Sequence, residues 1–256
     1  MSQDEQSQPL KSQVKHLLTR LDLHIGRHRN TLAGARRSLL RSGKVDLVVD
    51  VGAHAGEYGK SLRAAGYRGR IFSLEPVAGH FKRLQAAAAD DGAWDCRNSA
   101  GGARAEKAMI NVSANDGFSS SLLQMTEAHE RAARGSHFSA QQEIDVVSVD
   151  EAVADRRKPD SAWYLKADTQ GYEHEVLAGA EETLTRCLAV ELELSLTPIY
   201  ENQLLLGEMI ALMRRHGFHP THLEPEFVDP QSGELLCVNG LFQVSPRIDA
   251  NGEAPG

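Results

Sequence analysis

Two acidic residues stand where short apolar runs end. Asp50 lies near the end of Val45–Val51, and Glu75 follows Arg70–Leu74, 25 residues further on. Asp50 opens the stretch Asp-Val-Gly-Ala-His-Ala-Gly, residues 50–56. Small residues there permit a sharp turn and let the backbone approach a ligand closely. At the carboxyl end of the first strand of a doubly wound sheet, such a turn is where nucleotides and related cofactors bind. A carboxylate at Glu75 suits the two hydroxyls of a ribose. The glycine spacing is not the Gly-x-Gly-x-x-Gly of dinucleotide sites, where a pyrophosphate meets a helix N-terminus. Asp50, two positions before Gly52, repels a pyrophosphate and suits a cationic amino group, directly or through water. The sign of that charge favours S-adenosylmethionine over a nicotinamide dinucleotide, and methyl transfer over hydride transfer.

A second group of residues suits the acceptor of such a transfer. A hydroxyl is a poor nucleophile, so a positioned base or a metal ion is expected to assist it. Asp168 follows the apolar run Trp163–Ala167 and is the first candidate for base or metal ligand, with helix capping as its structural alternative. Glu173 and His174 fall in the first turn of the helix expected next. Glu173 is a second catalytic candidate, whereas His174 points about 100° away from it. His54, beside the glycine turn, is a third. Lys166 shares a strand face with Asp168 and can pair with it. Glu191 and Glu193 share a face of the following strand, and with Asp168 they form a candidate oxygen-rich site for Mg²⁺. Ser119, Ser120 and Ser121 offer hydroxyls to cofactor or acceptor, or serve a turn. His216, His219 and His222 straddle Gly217 and include Pro220, so they are not expected to share a metal.

The elements that position these residues follow from hydrophobic periodicity. Strands are expected at 45–51, 70–74, 94–98, 106–113, 144–149, 163–167, 188–194, 218–223 and 238–244, and helices at 57–65, 79–89, 172–185 and 204–216. Their alternation argues for a parallel sheet covered on both faces, with a final antiparallel strand. Residues 115–141 read as a long polar connection with one short helix near 123–134. Ahead of the first strand, Val14, Leu17, Leu18, Leu21 and Ile25 recur at helical spacing, and a second helix is expected at 31–41.

Charge divides the chain. The net charge is -7, yet residues 1–45 carry nine Lys/Arg and three Asp/Glu, which leaves -13 for the remainder. An acidic body argues against nucleic acid as partner, while the basic arm suits an anionic surface, a phosphate or a partner, and its amphipathic character suits a homodimer contact. No apolar run approaches the ~20 residues that span a bilayer. Met1–Pro9 lacks a signal core, and Cys96, Cys187 and Cys237 are odd in number and far apart. A cytoplasmic protein with reduced thiols is therefore expected.

Four stretches carry a resemblance: Val-Val-Asp-Val-Gly-Ala-His-Ala-Gly (48–56), Ser-Leu-Glu-Pro (73–76), Ser-Ser-Leu (120–122), and Leu-Lys-Ala-Asp-Thr-Gln-Gly-Tyr-Glu (165–173), with Val-Asp-Glu-Ala (149–152) before the last. Over residues 45–245 the chain resembles the FkbM methyltransferases, and 165–173 is the most specific part. Ala167 departs from the larger aliphatic residue usual there, and His54 from the middle glycine of many methyltransferases. The resemblance implies a Rossmann-like class I fold, α/β with a seven-strand, mostly parallel, doubly wound sheet. It also implies O-methylation of a hydroxyl on a sugar, glycan or secondary metabolite, with S-adenosylmethionine as cofactor. The candidate cofactor residues are then Asp50, Gly52, Ala53, Gly56, Glu75 and Pro76, Asn98 and Ser99 after the third strand, Ser120, Ser121 and Asp168. The expected organisation is a basic helical arm (1–44), a methyltransferase domain (45–245) and a tail (246–256). An NAD(P)-dependent oxidoreductase and a non-catalytic binding module on the same fold are the alternatives.

Overall fold

The computed structural model describes residues 31–244. The amphipathic helix expected over 14–25, most of the basic arm and the tail 246–256 lie outside them. The chain enters through α1 (Leu32–Arg41), whose first turn is capped by Thr31: its hydroxyl accepts from the Gly34 amide at 3.1 Å. β1 (Leu47–Val51), α2 (Glu57–Ala64), β2 (Arg70–Leu74), α3 (Ala78–Ala88) and β3 (Trp94–Arg97) then alternate. After an insertion, β7 (Trp163–Ala167), α6 (Glu173–Ala178), α7 (Glu181–Leu184), β8 (Cys187–Ser195), α8 (Leu206–Arg215), β9 (Phe218–Val228) and β10 (Leu235–Val244) complete the main sheet.

That sheet has seven strands in the order β3-β2-β1-β7-β8-β10-β9. β10 runs antiparallel to both its neighbours, and the β1, β2, β3, β7 and β8 pairings are parallel. The order reverses between β1 and β7, so the crevice at their carboxyl ends is the topological switch point where ligands bind in such sheets. Strand alternation divides the core. Val49, Val51, Phe72, Leu74, Leu165 and Leu192 face one layer with α5 (Val149–Ala152), α6, α7 and α8. Val48, Ile71, Trp94, Tyr164 and Leu241 face the other, with Leu32 and Leu40 of α1, Leu62 of α2 and Leu84 of α3. Helix α1, expected as part of an arm, thus has its apolar side in the main core.

Three elements differ from expectation. The 144–149 run is the end of a longer strand, β6 (Phe138–Ser148), which pairs with β4 (Ala100–Gly102) and β5 (Glu106–Ser113) in a separate three-stranded sheet. The helix expected at 172–185 is broken after Ala178, where Gly179 packs on the carbonyl of Gly102: a Cβ there would lie 1.9 Å from that oxygen. The helix expected at 123–134 is the shorter α4 (Glu127–Ala132). All three cysteines are free, and Cys187 and Cys237 are buried. Among the described residues no helix is long and apolar enough to cross a membrane.

Candidate active site

The glycine turn is shaped first by the protein's own packing. Gly52 has φ +81°, and a Cβ there would lie 2.0 Å from the Asp168 carbonyl oxygen, so β1 and β7 meet too closely for a side chain. Gly56, at φ +85°, precedes α2, and its Cβ would press on Leu84, Trp94 and Ala87 at 3.2–3.3 Å. His54 has φ +49°, which explains why a glycine is favoured there. Its amide donates to Glu75 Oε2 at 2.8 Å, and the Val77 amide donates to Oε1 at 2.8 Å. Two backbone donors therefore orient the buried Glu75 carboxylate, which lines the cavity described below. The His54 ring stacks on Phe118 at 4.3 Å and tilts against His80 at 4.2 Å. Its Nε2 lies 2.8 Å from the Asp116 carbonyl and its Nδ1 3.3 Å from the Glu57 carboxylate. Asn98 donates to the carbonyls of Glu75 and Pro76 at 2.8 and 2.9 Å, tying β3 to β2, and Ser99 is buried behind it.

A polar row crosses the sheet beneath this turn. Ser73, Asp50, Lys166 and Glu191 occupy adjacent register positions on β2, β1, β7 and β8. Asp50 is fully buried; its Oδ2 accepts from the Ser73 hydroxyl at 3.2 Å, and its Oδ1 lies 3.6 Å from Lys166 Nζ. Burial pushes the Asp50 carboxyl up, and Lys166 and Ser73 oppose that. The negative charge assigned to a cofactor amine thus faces a lysine inside the sheet. Lys166 Nζ also lies 3.3 Å from Asp168 Oδ2, as the shared strand face implied. Although burial opposes it, Asp168, Asp50 and Glu191 raise the Lys166 pKa. Glu191 is held by Arg36 of α1 at 2.7 and 3.0 Å, by the Tyr58 hydroxyl at 3.1 Å and by the Tyr164 hydroxyl. The Arg36 guanidinium carbon and Lys166 Nζ lie 4.9 and 5.0 Å from the Tyr58 ring centroid.

Asp168 stands at the mouth of this row, and its carboxylate does not cap the following helix, whose N-cap is Tyr172. Gln170 Nε2 donates to Asp168 Oδ1 at 3.0 Å and to Glu193 Oε2 at 2.9 Å. Burial, Asp168 and Glu173 push the Glu193 carboxyl well above the usual range. Glu173 accepts from the Thr169 amide at 2.7 Å and the Thr169 hydroxyl at 3.1 Å, bracing the turn from below; burial raises it to about 7. Ser121 donates to the Gln170 carbonyl at 2.7 Å, and the Ser120 hydroxyl accepts from the Ser113 amide at 3.1 Å. Ser119 and the buried His129 ring meet at 3.2 Å, and burial lowers the His129 pKa to about 4.

These groups surround one cavity of about 660 Å³. Gly52, Ala53, His54, Glu75, Pro76 and Phe118 line it together with Arg36, Tyr58, Lys166, Asp168, Glu193 and Phe227. The oriented carboxylate of Glu75 beside an apolar, glycine-containing turn fits a nucleoside ribose. The proposed Mg²⁺ ligands do not fit a cation. Among the described residues no group of three or more His, Cys, Asp or Glu side chains is arranged to hold one. Glu191 is enclosed by Arg36 and two tyrosines, and Lys166 and the Gln170 amide occupy the contacts of Asp168. Of the candidate residues, Gly52, Ala53, His54, Glu75, Pro76, Ser120, Ser121, Asp168, Glu191 and Glu193 line the cavity, whereas Asp50, Gly56, Asn98, Ser99 and Glu173 do not. Arg36, Tyr58, Gln170, Phe227 and Asn239 are wall residues that periodicity does not single out. Their signal is tertiary, apart from Gln170, which stands inside the 165–173 stretch.

The strand order 3-2-1-7-8-10-9, with its one reversed strand and its site at the switch point, defines a class I methyltransferase architecture. The chain belongs to the methyltransferase FkbM domain family, whose model matches residues 50–220. No curated protein sequence matches it. Among solved structures it is similar to an rRNA methylase from Streptococcus thermophilus, at 13% identity and a TM-score of 0.45, with 87% of this chain and 99% of that one covered. It is also similar to precorrin-6y C5,15-methyltransferase from Geobacter metallireducens, at 11% identity and a TM-score of 0.42, with 88% and 95% covered. Aeropyrum pernix fibrillarin, in complex with natively bound S-adenosyl-L-methionine, matches at 12% identity and a TM-score of 0.42, with 77% and 66% covered.

Proposed function

We propose that this chain is an S-adenosylmethionine-dependent O-methyltransferase that acts on a hydroxyl of a sugar, glycan or similarly polyhydroxylated metabolite. The observation that carries this is that Glu75 and Asp168 line one and the same cavity. When bound, S-adenosylmethionine supplies an activated methyl group on a sulfonium centre. Glu75, held by the His54 and Val77 amides, would take its ribose hydroxyls. Residues 52–54 would lie along the nucleoside. Asp168 would accept the acceptor's proton as the hydroxyl oxygen takes the methyl group and the methyl–sulfur bond breaks to leave a neutral thioether, and Lys166, 3.3 Å away, would stay in place as its counter-charge. Gly52 packs on the Asp168 backbone, so the glycine turn and the Asp168 carboxylate are mutually fixed, as alignment of acceptor and methyl donor requires.

The acceptor side favours an oxygen-rich ligand. Asp168, Glu193 and Asn239 are planar groups able to engage neighbouring hydroxyls, and Tyr58 and Phe227 offer apolar faces beside them. A polyanion is disfavoured there, because the body of the chain carries -13 outside residues 1–45. The test is transfer of labelled methyl from S-adenosylmethionine to glycan and metabolite extracts, with the labelled atom located by NMR. Label on a carbohydrate oxygen is the expected result. Label confined to nitrogen, or to nucleic acid, contradicts it.

A further inference from the structure

We propose that Gln170 is a positioning residue of the acceptor site: its amide, pinned by Tyr200, orients the Asp168 carboxylate and holds it apart from Glu193. The inference rests on the methyl-transfer reading above and assigns a task to a residue outside the expected catalytic set.

The geometry uses every polar atom of the side chain. Both Nε2 hydrogens have acceptors, Asp168 Oδ1 at 3.0 Å and Glu193 Oε2 at 2.9 Å, while Oε1 accepts from the Tyr200 hydroxyl at 2.8 Å. The reversed amide is disfavoured, since it would turn Oε1 toward two carboxyl groups. Tyr200 is fully buried and its hydroxyl also lies 3.2 Å from the Ser119 carbonyl, so the pin is itself fixed. The Gln170 carbonyl accepts from Ser121, which ties the same residue to the segment over the cavity.

The backbone supplies an independent observation. Gln170 has φ +58°, a left-handed conformation that strains a side-chain-bearing residue. Gly171 follows at φ +94°, where a Cβ would lie 3.0 Å from Tyr200 Cβ. Glycine at 170 would relieve the strain, so a long amide at this place points to use of the amide.

The electrostatics give the amide its purpose. Asp168 is faced by Lys166 on its own strand, Asp50 on β1, Glu193 on β8, Glu226 on β9 and Glu173 on α6. The surrounding acids outnumber the one ammonium. A neutral double donor bridges the two carboxyl groups, so Asp168 and Glu193 can face one ligand without meeting each other directly.

The full-length variants Gln170→Gly, Gln170→Met and Tyr200→Phe test this. Methyl transfer is expected to slow in both Gln170 variants, and less so in Tyr200→Phe. Gln170→Gly should melt no lower than wild type. The Kd for S-adenosylmethionine should stay within about twofold, while kcat falls about 10- to 100-fold with little change in KM. A kcat unchanged in Gln170→Met, or a loss of kcat that only tracks a fall in Tm, overturns the proposal alone. A wild type that binds no S-adenosylmethionine overturns the methyl-transfer reading, and this inference with it.

Discussion

At the scale of single residues, Asp168 carries most of the account. It lines the cavity, lies 3.3 Å from Lys166 and accepts from Gln170 at 3.0 Å. Asp168→Asn keeps the shape and removes the proton acceptor, so methyl transfer should fall about 10²- to 10⁴-fold while S-adenosylmethionine affinity holds. Product formation under saturating cofactor measures this, and wild-type turnover removes Asp168 from the mechanism. The sequence shows Asp168, Glu75 and Lys166 plainly, because each sits one step from a strand end in a strongly patterned run. The direction of Asp50 is less legible: its type and place suit a cofactor contact, while strand alternation sets its carboxylate in the polar row, beside Ser73 and Lys166. The small size of Gly52 is demanded by the Asp168 carbonyl as well as suited to a ligand.

At the scale of elements, the strands and the helices between them are legible because buried parallel strands are short, continuous apolar runs with glycine-containing turns between them. The small sheet is less so. β4 is three residues long, and β5 meets β6 only across the polar segment that contains α4. Helix α1 shows a different limit. Its periodicity is visible, but nothing in its sequence says that Arg36 reaches Glu191, 155 positions away. With side-chain exposures of 19% for Arg36 and 6% for Glu191, this pair is largely dry. Arg36→Ala leaves Glu191 to two tyrosine hydroxyls and should cost on the order of 3 kcal/mol. Adding Glu191→Gln should recover much of that loss, because no unpaired charge remains inside. Urea denaturation of the two variants reads the difference. A single variant as stable as wild type would show that α1 is dispensable to the site.

At the scale of the whole molecule, the buried acids make stability depend on pH in a direction opposite to ordinary acid denaturation. Burial raises Glu173 from 4.5 to about 7. Between those values the unfolded chain releases a proton that the folded chain keeps, so this group's contribution to stability falls as pH rises and is lost above about 7. Glu173→Gln retains an acceptor for the Thr169 amide but no titrating group. It should therefore gain on wild type from pH 4.5 to 7, by roughly 3 kcal/mol in all, and the gain should level off above that. Melting curves across the range check this, and a pH-independent difference would show that Glu173 is not held neutral. His129, lowered to about 4 by burial, contributes with the opposite sign: its share is present above 6.5 and is lost as pH falls toward 4.

The central claim is that the cavity beside Glu75 is an S-adenosylmethionine site. Isothermal titration of the full chain with S-adenosylmethionine, and separately with NAD(H), tests it most directly. Specific binding of S-adenosylmethionine, weakened about 10-fold or more in Glu75→Ala, is the predicted result. Tight NAD(H) binding with no S-adenosylmethionine binding, or an affinity that Glu75→Ala leaves unchanged, would contradict it.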